Sequence, residues 1–299
     1  MTVVAVVGPT ATGKSALGIA LARALGGEVV NADSMQLYRG MDVGTAKLTG
    51  AERAGVPHHL LDVWDVTEAA SVAEYQRLAR AAVEQLCAAG RVPVLVGGSG
   101  LYVRAVLDRL DFPGTDPAAR AQLDAELAEV GPGVLHRRLA TLDPPAAAAI
   151  LPSNGRRIVR ALEVIALTGR PFTATLPGPE SLYDAVQIGL DVDAAALDAR
   201  VDARVDQMWA AGLVDEVRAL EQVGLRDGPT ASRALGYAQV LRYFDGELTE
   251  VQAREQTQQA TRRFVRRQRS WFRRDPRVRW LDAARPDLTD AALELVRAR

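Results

Sequence analysis

The sequence predicts an α/β protein: a parallel-sheet core built on a phosphate-binding loop and interrupted by a helical insertion. Three observations predict it. The first residues read as strand, glycine loop and helix in direct succession. Short apolar strands then recur at 28–32, 92–96 and 185–190, the first two separated by helical periodicity. From about Phe112 the strand signals stop, and four helical segments follow one another. The expected organisation is a core of residues 1–111 and 185–299 with an insertion of residues 112–184.

Residues 2–7 form a buried strand that runs into Gly8-Pro9-Thr10-Ala11-Thr12-Gly13-Lys14-Ser15, a full match to the P-loop pattern G-x-x-x-x-G-K-[ST]. A helix follows, with Leu17, Leu21 and Leu25 on one face. Gly8 and Gly13 let the backbone curl so that successive N–H groups point inward, and the helix N-terminus adds its positive end. Lys14 supplies a point charge, and the Ser15 hydroxyl can hold Mg²⁺. A plain glycine turn with a solvated lysine is the alternative, against which the flanking strand and helix weigh. The motif does not say whether the phosphate belongs to ATP.

The second strand, 28–32, ends at Asp33-Ser34-Met35-Gln36. In parallel sheets function collects beyond the carboxyl ends of strands, so Asp33 is expected beside the loop, as a catalyst or as a helix cap. Residues 57–63 read as a short strand. His58 and His59 are adjacent and face opposite ways there, so no metal pair is expected. Residues 71–89 carry one apolar stripe. The single cysteine, Cys87, lies in that helix, excludes an intramolecular disulfide and reads as a small core residue. Strand 92–96 ends in Gly97-Gly98-Ser99-Gly100, where a P-loop NTPase usually places an Mg²⁺-holding aspartate. That weakens the ATPase and kinase readings.

The insertion helices are expected at 118–129, 133–142, 145–150 and 156–168. Arg156, Arg157 and Arg160 cluster there, either as a solvated face or as contacts to a phosphate backbone. Residues 197–220 read as one helix, with Arg200 and Arg204 one turn apart and Asp198, Asp202 and Asp206 near enough to pair with them. Residues 233–237 turn into another helix. Residues 252–274 read as a long helix in which residues 262–274 hold seven arginines and no acid, interleaved with Phe264, Trp271 and Phe272. Arginines with aromatics suit a nucleic-acid surface, the alternative being a solvated basic helix with its aromatics turned inward. A last strand at 278–281 and a helix at 288–296 follow.

A formal net charge of −1 argues against a uniformly basic protein, yet the charge is unevenly placed, concentrated between Arg262 and Arg274. The chain has only two lysines, Lys14 and Lys47, both in glycine-flanked segments expected near the phosphate site. No apolar run is long enough to span a membrane and the chain starts in a core strand, so a cytoplasmic protein without a signal peptide or membrane partner is expected.

Taken together, these motifs resemble the bacterial tRNA dimethylallyltransferases of the IPP transferase family. The matching blocks are the phosphate loop, Asn31 through Lys47, Pro57-His58-His59-Leu60-Leu61-Asp62, Gly97-Gly98-Ser99-Gly100-Leu101-Tyr102, Arg160-Ala161-Leu162-Glu163-Val164, Gly236-Tyr237 and residues 266–273. The resemblance implies transfer of a dimethylallyl group from dimethylallyl diphosphate to N6 of adenosine 37 of tRNA, just 3′ of the anticodon. It implies that Gly8, Pro9, Thr10, Ala11, Thr12, Gly13, Lys14 and Ser15 hold diphosphate rather than ATP, with Mg²⁺ at Ser15 and a further contact from Arg200 or Arg204. Asp33 is then the general base, with Ser99 and Lys14 beside the reacting centre. The anticodon stem-loop would be contacted by Asp33, Ser34, Met35, Gln36, Ser99 and Arg120, by Arg156, Arg157, Ile158, Val159 and Arg160, by Arg233, Gly236 and Tyr237, and by Arg266, Arg267, Gln268, Arg269, Trp271 and Arg273. The enzyme is expected to act as a monomer. Two positions depart from the family: Ser99 stands where threonine is common, and Arg266 where many relatives have lysine. The rival readings are a small-molecule kinase, a nucleotide-switched RNA-binding protein and a prenyltransferase acting on adenylate.

Overall fold

The computed structural model describes residues 2–172 and 178–298; residues 173–177 of the expected insertion lie outside the described residues. The first strand, β1 (Thr2–Val7), is nearly all valine and alanine without polar alternation, the pattern of a strand covered on both faces. It is central in a six-stranded parallel sheet of order β3-β2-β4-β1-β5-β6. Its partners are β2 (Glu28–Asn31), β3 (His58–His59), β4 (Pro93–Gly97), β5 (Asp184–Asp191) and β6 (Val278–Asp282). Val4 pairs with Val94 on one side and Val186 on the other.

The two faces of β1 feed two cores. Val4 and Val6 pack with Leu17, Leu21 and Ala22 of α1 (Lys14–Ala24) and with Ala292 and Leu293 of α12 (Leu288–Arg297). Val3, Ala5 and Val7 face Tyr75, Ala79 and Val83 of α2 (Val72–Ala88) and Val103 and Val106 of α3 (Gly100–Leu107). Cys87 is buried in that second core.

Contacts divide the chain into two compact units, Met1–Arg109 with Ser181–Arg299, and Leu110–Glu180. The chain is back in the sheet unit by Ser181 because that residue bridges Asp108, ahead of β5. The second unit holds α4 (Pro117–Val130), α5 (Pro132–Leu142), α6 (Pro144–Ala149) and α7 (Gly155–Thr168). Asp116, Asp143 and Asn154 cap three of them with side-chain hydrogen bonds. Its core is Leu123, Leu135, Leu139, Ile158, Val159 and Leu162.

Three expected elements are corrected. The helix at 197–220 is two, α8 (Ala194–Ala210) and α9 (Leu213–Glu221), because Gly212 takes φ 94° and breaks it. The apolar period runs on across the break, since Leu213, Val217 and Leu220 are buried like Val201 and Val205 before them. The strand at 57–63 shrinks to β3, because Leu60 and Asp62 adopt left-handed φ of 62° and 57°. After α10 (Tyr237–Phe244), the arginine-rich helix is α11 (Glu250–Phe272), which starts earlier than expected because Thr249 and Gln252 form a capping box.

Candidate active site

A cavity of about 310 Å³ opens beyond the carboxyl ends of β1, β2 and β4. Thr10, Ala11, Gly13, Lys14 and Ser15 line one side, Asp33 and Gln36 another, and Arg204 of α8 a third. The loop between β1 and α1 turns through left-handed φ at Gly8 (129°), Ala11 (64°) and Gly13 (86°). At Gly8 a side chain would also collide with the carbonyl of Leu190. Inside the loop, the Thr12 hydroxyl and Lys14 Nζ both donate to Pro9 O, at 2.9 and 2.6 Å. No side chain caps α1 and no acid stands in its first turn, so its leading N–H groups are left to an anion.

Three charges meet in this cavity. Desolvation pulls the Lys14 ammonium down to about 7; Asp33 opposes the fall and Arg204 adds to it. Burial likewise lowers Arg204, again opposed by Asp33. Arg200, one turn earlier, is exposed and is not among the residues lining the cavity. Asp198, Asp202 and Asp206 do not pair with these two arginines as expected; they turn to Arg266, Arg262 and Arg254 of α11.

Asp33 is placed by its surroundings. Its Oδ1 accepts the N–H of Met35 at 3.0 Å. Asn31, buried at 4% exposure, holds its backbone and also donates to Leu60 O at 3.0 Å. Tyr75 OH donates in turn to Asn31 O at 2.9 Å. Ser99 Oγ accepts Ser34 N–H at 3.2 Å and lies 3.3 Å from Ser34 Oγ. Gln36 donates to Thr45 O at 3.1 Å and so joins the cavity floor to the next loop.

That loop supplies Thr45, Ala46 and Leu48 to the lining. Glu216 of α9 anchors it, accepting the N–H groups of Asp42, Val43 and Gly44 at 3.1, 2.7 and 3.1 Å and Tyr237 OH at 2.6 Å. Sequence reasoning missed Glu216, and nothing local marks it. Lys47, expected near the phosphate site, stands between the lining residues Ala46 and Leu48 but does not itself line the cavity. Its ammonium is buried between Asp42 and Asp62, each at 2.6 Å, and Tyr38 O at 2.9 Å. His58, whose Nδ1 lies 2.8 Å from Val56 O, was not expected in the lining but stands there, its pKa lowered mainly by burial. His59 pairs instead with Glu28 at 2.7 Å. Among the described residues no group of three or more His, Cys, Asp or Glu could hold a metal.

The expected RNA-contacting residues divide into outward and inward sets. Arg156, Arg157, Arg233, Arg266, Arg267, Trp271 and Arg273 are exposed. Arg266, Arg269, Ser270, Arg273 and Arg274 line a shallow basic depression at the C-terminal end of α11. Arg269 and Arg273 share Asp191 at the end of β5, at 2.7 and 2.8 Å. Trp271, 37% exposed, packs over Gly100, where any Cβ would strike its ring. Ile158, Val159 and Tyr237 of the expected set are fully buried and Gln268 is 6% exposed, so none of these four presents its side chain at the surface. Arg120 and Arg160 both pair with the buried Glu163, at 3.0 and 2.8 Å, and Arg160 also donates to Pro113 O and Gly114 O.

Residues 36–275 match the model of the IPP transferase family. A tRNA dimethylallyltransferase of Salinispora arenicola (strain CNS-205) is 72% identical over 297 residues, covering 99% of this chain and 87% of its own. One from Thermobifida fusca (strain YX) is 69% identical over 300 residues, covering 99% and 94%. Among solved structures, the tRNA isopentenylpyrophosphate transferase of Bacillus halodurans superposes with TM-score 0.73 at 42% identity, over 99% of this chain and 95% of that one. A eukaryotic dimethylallyltransferase acting on tRNA superposes with TM-score 0.81 at 26% identity, over 99% and 77%.

Proposed function

The chain belongs to the IPP transferase family, and we propose on that premise how its residues carry out its reaction, the transfer of a dimethylallyl group to N6 of adenosine 37 in tRNA. The donor is dimethylallyl diphosphate, and diphosphate is released. The observation that carries this reading is one cavity lined by a carboxylate, Asp33, and by an anion cradle, Lys14, Ser15 and Arg204.

The chemistry needs both. The exocyclic amine of adenine is a poor nucleophile because its lone pair is delocalised into the ring. The carbon–oxygen bond of an allylic diphosphate breaks readily because positive charge at C1 spreads over the allyl group. Asp33 takes the N6 proton as the new carbon–nitrogen bond forms. Charge gathering on the departing oxygens meets the loop N–H groups, Lys14 and Arg204. Arg204 takes the diphosphate contact and Arg200 does not. The Ser15 hydroxyl is a hard oxygen donor at the mouth of the loop and suits Mg²⁺ carried on diphosphate oxygens. Such an ion would neutralise leaving-group charge. Val29, Leu48, Leu61 and Val96 give the cavity an apolar wall for the prenyl carbons.

The adenine must leave its stack to reach Asp33, which costs least in a single-stranded anticodon loop. Ser34, Gln36 and Ser99 lie beside its path, and the exposed arginines and Trp271 of α11 grip the RNA by charge and stacking. We further propose that the enzyme acts as a monomer in the cytoplasm, where it would meet its tRNA. Among the described residues no helix is long and apolar enough to cross a membrane. Purified protein, Mg²⁺, dimethylallyl diphosphate and unmodified tRNA should give one prenyl mass on one adenosine. Competent tRNA left unmodified, or free AMP outcompeting it as acceptor, would overturn the reading.

A further inference from the structure

Gln268 sits on α11 among arginines that face outward, yet its own side chain points inward and is 6% exposed. Oε1 accepts the N–H of Thr10 in the phosphate loop at 3.0 Å, and Nε2 donates to Gly98 O, just past β4, at 2.9 Å. With a donor on one end and an acceptor on the other, the amide fits in one orientation. Gly98 makes the room, since a Cβ there would collide with Nε2. One residue further on, Arg269 holds Asp191 at the end of β5. A single helix therefore reaches the ends of β1, β4 and β5 together.

We propose that Gln268 is a positioning residue: from the helix whose outer face takes RNA, it sets the Thr10 amide of the loop that takes diphosphate, and so couples the two binding events. This rests on the reaction proposed above. A loop held in its anion-binding form before the donor arrives has less to reorganise when charge develops. Coupling of binding is reciprocal, so RNA seated on α11 tightens diphosphate by the factor by which diphosphate tightens RNA.

Gln268→Met keeps the length of the side chain and removes both hydrogen bonds. Gln268→Glu keeps the acceptor for Thr10 and sets an oxygen against Gly98 O. Thermal melts establish that each variant is folded, and calorimetry then titrates inorganic diphosphate with Mg²⁺, with and without an anticodon stem-loop RNA. For the native chain, RNA is expected to tighten diphosphate several-fold. In Gln268→Met, diphosphate weakens by about tenfold, as for loss of a buried hydrogen bond. The RNA effect disappears, and KM for the donor rises more than KM for tRNA. Gln268→Glu falls between the two. Unchanged diphosphate affinity in a folded Gln268→Met protein, or a defect confined to KM for tRNA, overturns the assignment. A native chain that binds diphosphate yet prenylates no RNA would instead sink the proposed reaction, while the diphosphate titration still reads Gln268.

Discussion

Asn31 grips the backbone of Asp33 with both ends of its carboxamide: Oδ1 accepts the Asp33 N–H at 2.9 Å, and Nδ2 donates to the Asp33 carbonyl at 3.0 Å. The carboxylate is thus aimed by a buried neighbour two residues upstream. Asp33→Asn keeps the shape and an acceptor for Met35 N–H but cannot take a proton. Its kcat should fall by about 10²–10⁴-fold while tRNA affinity stays within a few fold. Single-turnover rates beside filter-binding measurements check both halves.

Asn31→Ala tests the aim itself. It strands the Asp33 N–H and two carbonyls, those of Asp33 and Leu60, in a partly buried place. A stability loss of about 1–3 kcal/mol is expected in urea unfolding. Turnover should drop although Asp33 is intact, and unchanged kcat would show that the carboxylate needs no such support.

If the loop takes diphosphate as proposed, Lys14 gives donor binding a pH dependence. Its pKa is pulled down to about 7, and a bound diphosphate must raise it. Binding strength from this group is therefore full below about 7 and is lost as pH climbs through the pKa of the complex. Calorimetry at pH 8 in buffers of different ionisation enthalpy should detect a proton taken up with diphosphate. Lys14→Met should abolish that uptake.

Arg204 and Arg200 should separate cleanly. Arg204 lines the cavity beside Asp33, whereas Arg200 is exposed. Arg204→Ala should lower kcat/KM for the donor by about 10²-fold or more. Arg200→Ala should stay within about threefold, and equal losses in donor kinetics would overturn the distinction.

Glu216 offers a prediction far from the chemistry. Its removal strands three backbone N–H groups of the loop that carries Thr45 and Ala46. Glu216→Ala should cost about 2–3 kcal/mol in stability and raise KM for the donor. Denaturant melts and steady-state kinetics read the two effects separately.

The phosphate loop and the strand before it could be read from the sequence because their signal lies within fifteen consecutive residues. Asp33 followed from its place just past a strand. Glu216 and Gln268 could not be read this way, since they work on residues 172–174 and 170–258 positions away. Such pairings exist only once the sheet has brought α9 and α11 to its carboxyl edge. The same limit explains Gly97, Gly98 and Gly100. By sequence they mark a missing aspartate; in the fold they let Ala32, Gln268 and Trp271 approach closely. Gly212 does not show as a break in the sequence because buried leucines and valines keep helical spacing on both sides of it.

Lys47 is sealed between two carboxylates, and the other basic side chains of the sequence, Lys14 and the histidines apart, are arginines. Apart from the α-amino terminus, amine-directed reagents at neutral pH thus find one reactive amine, and it lies in the pocket. An acylating probe would footprint the donor site without any engineered cysteine, and protection by diphosphate would report occupancy directly.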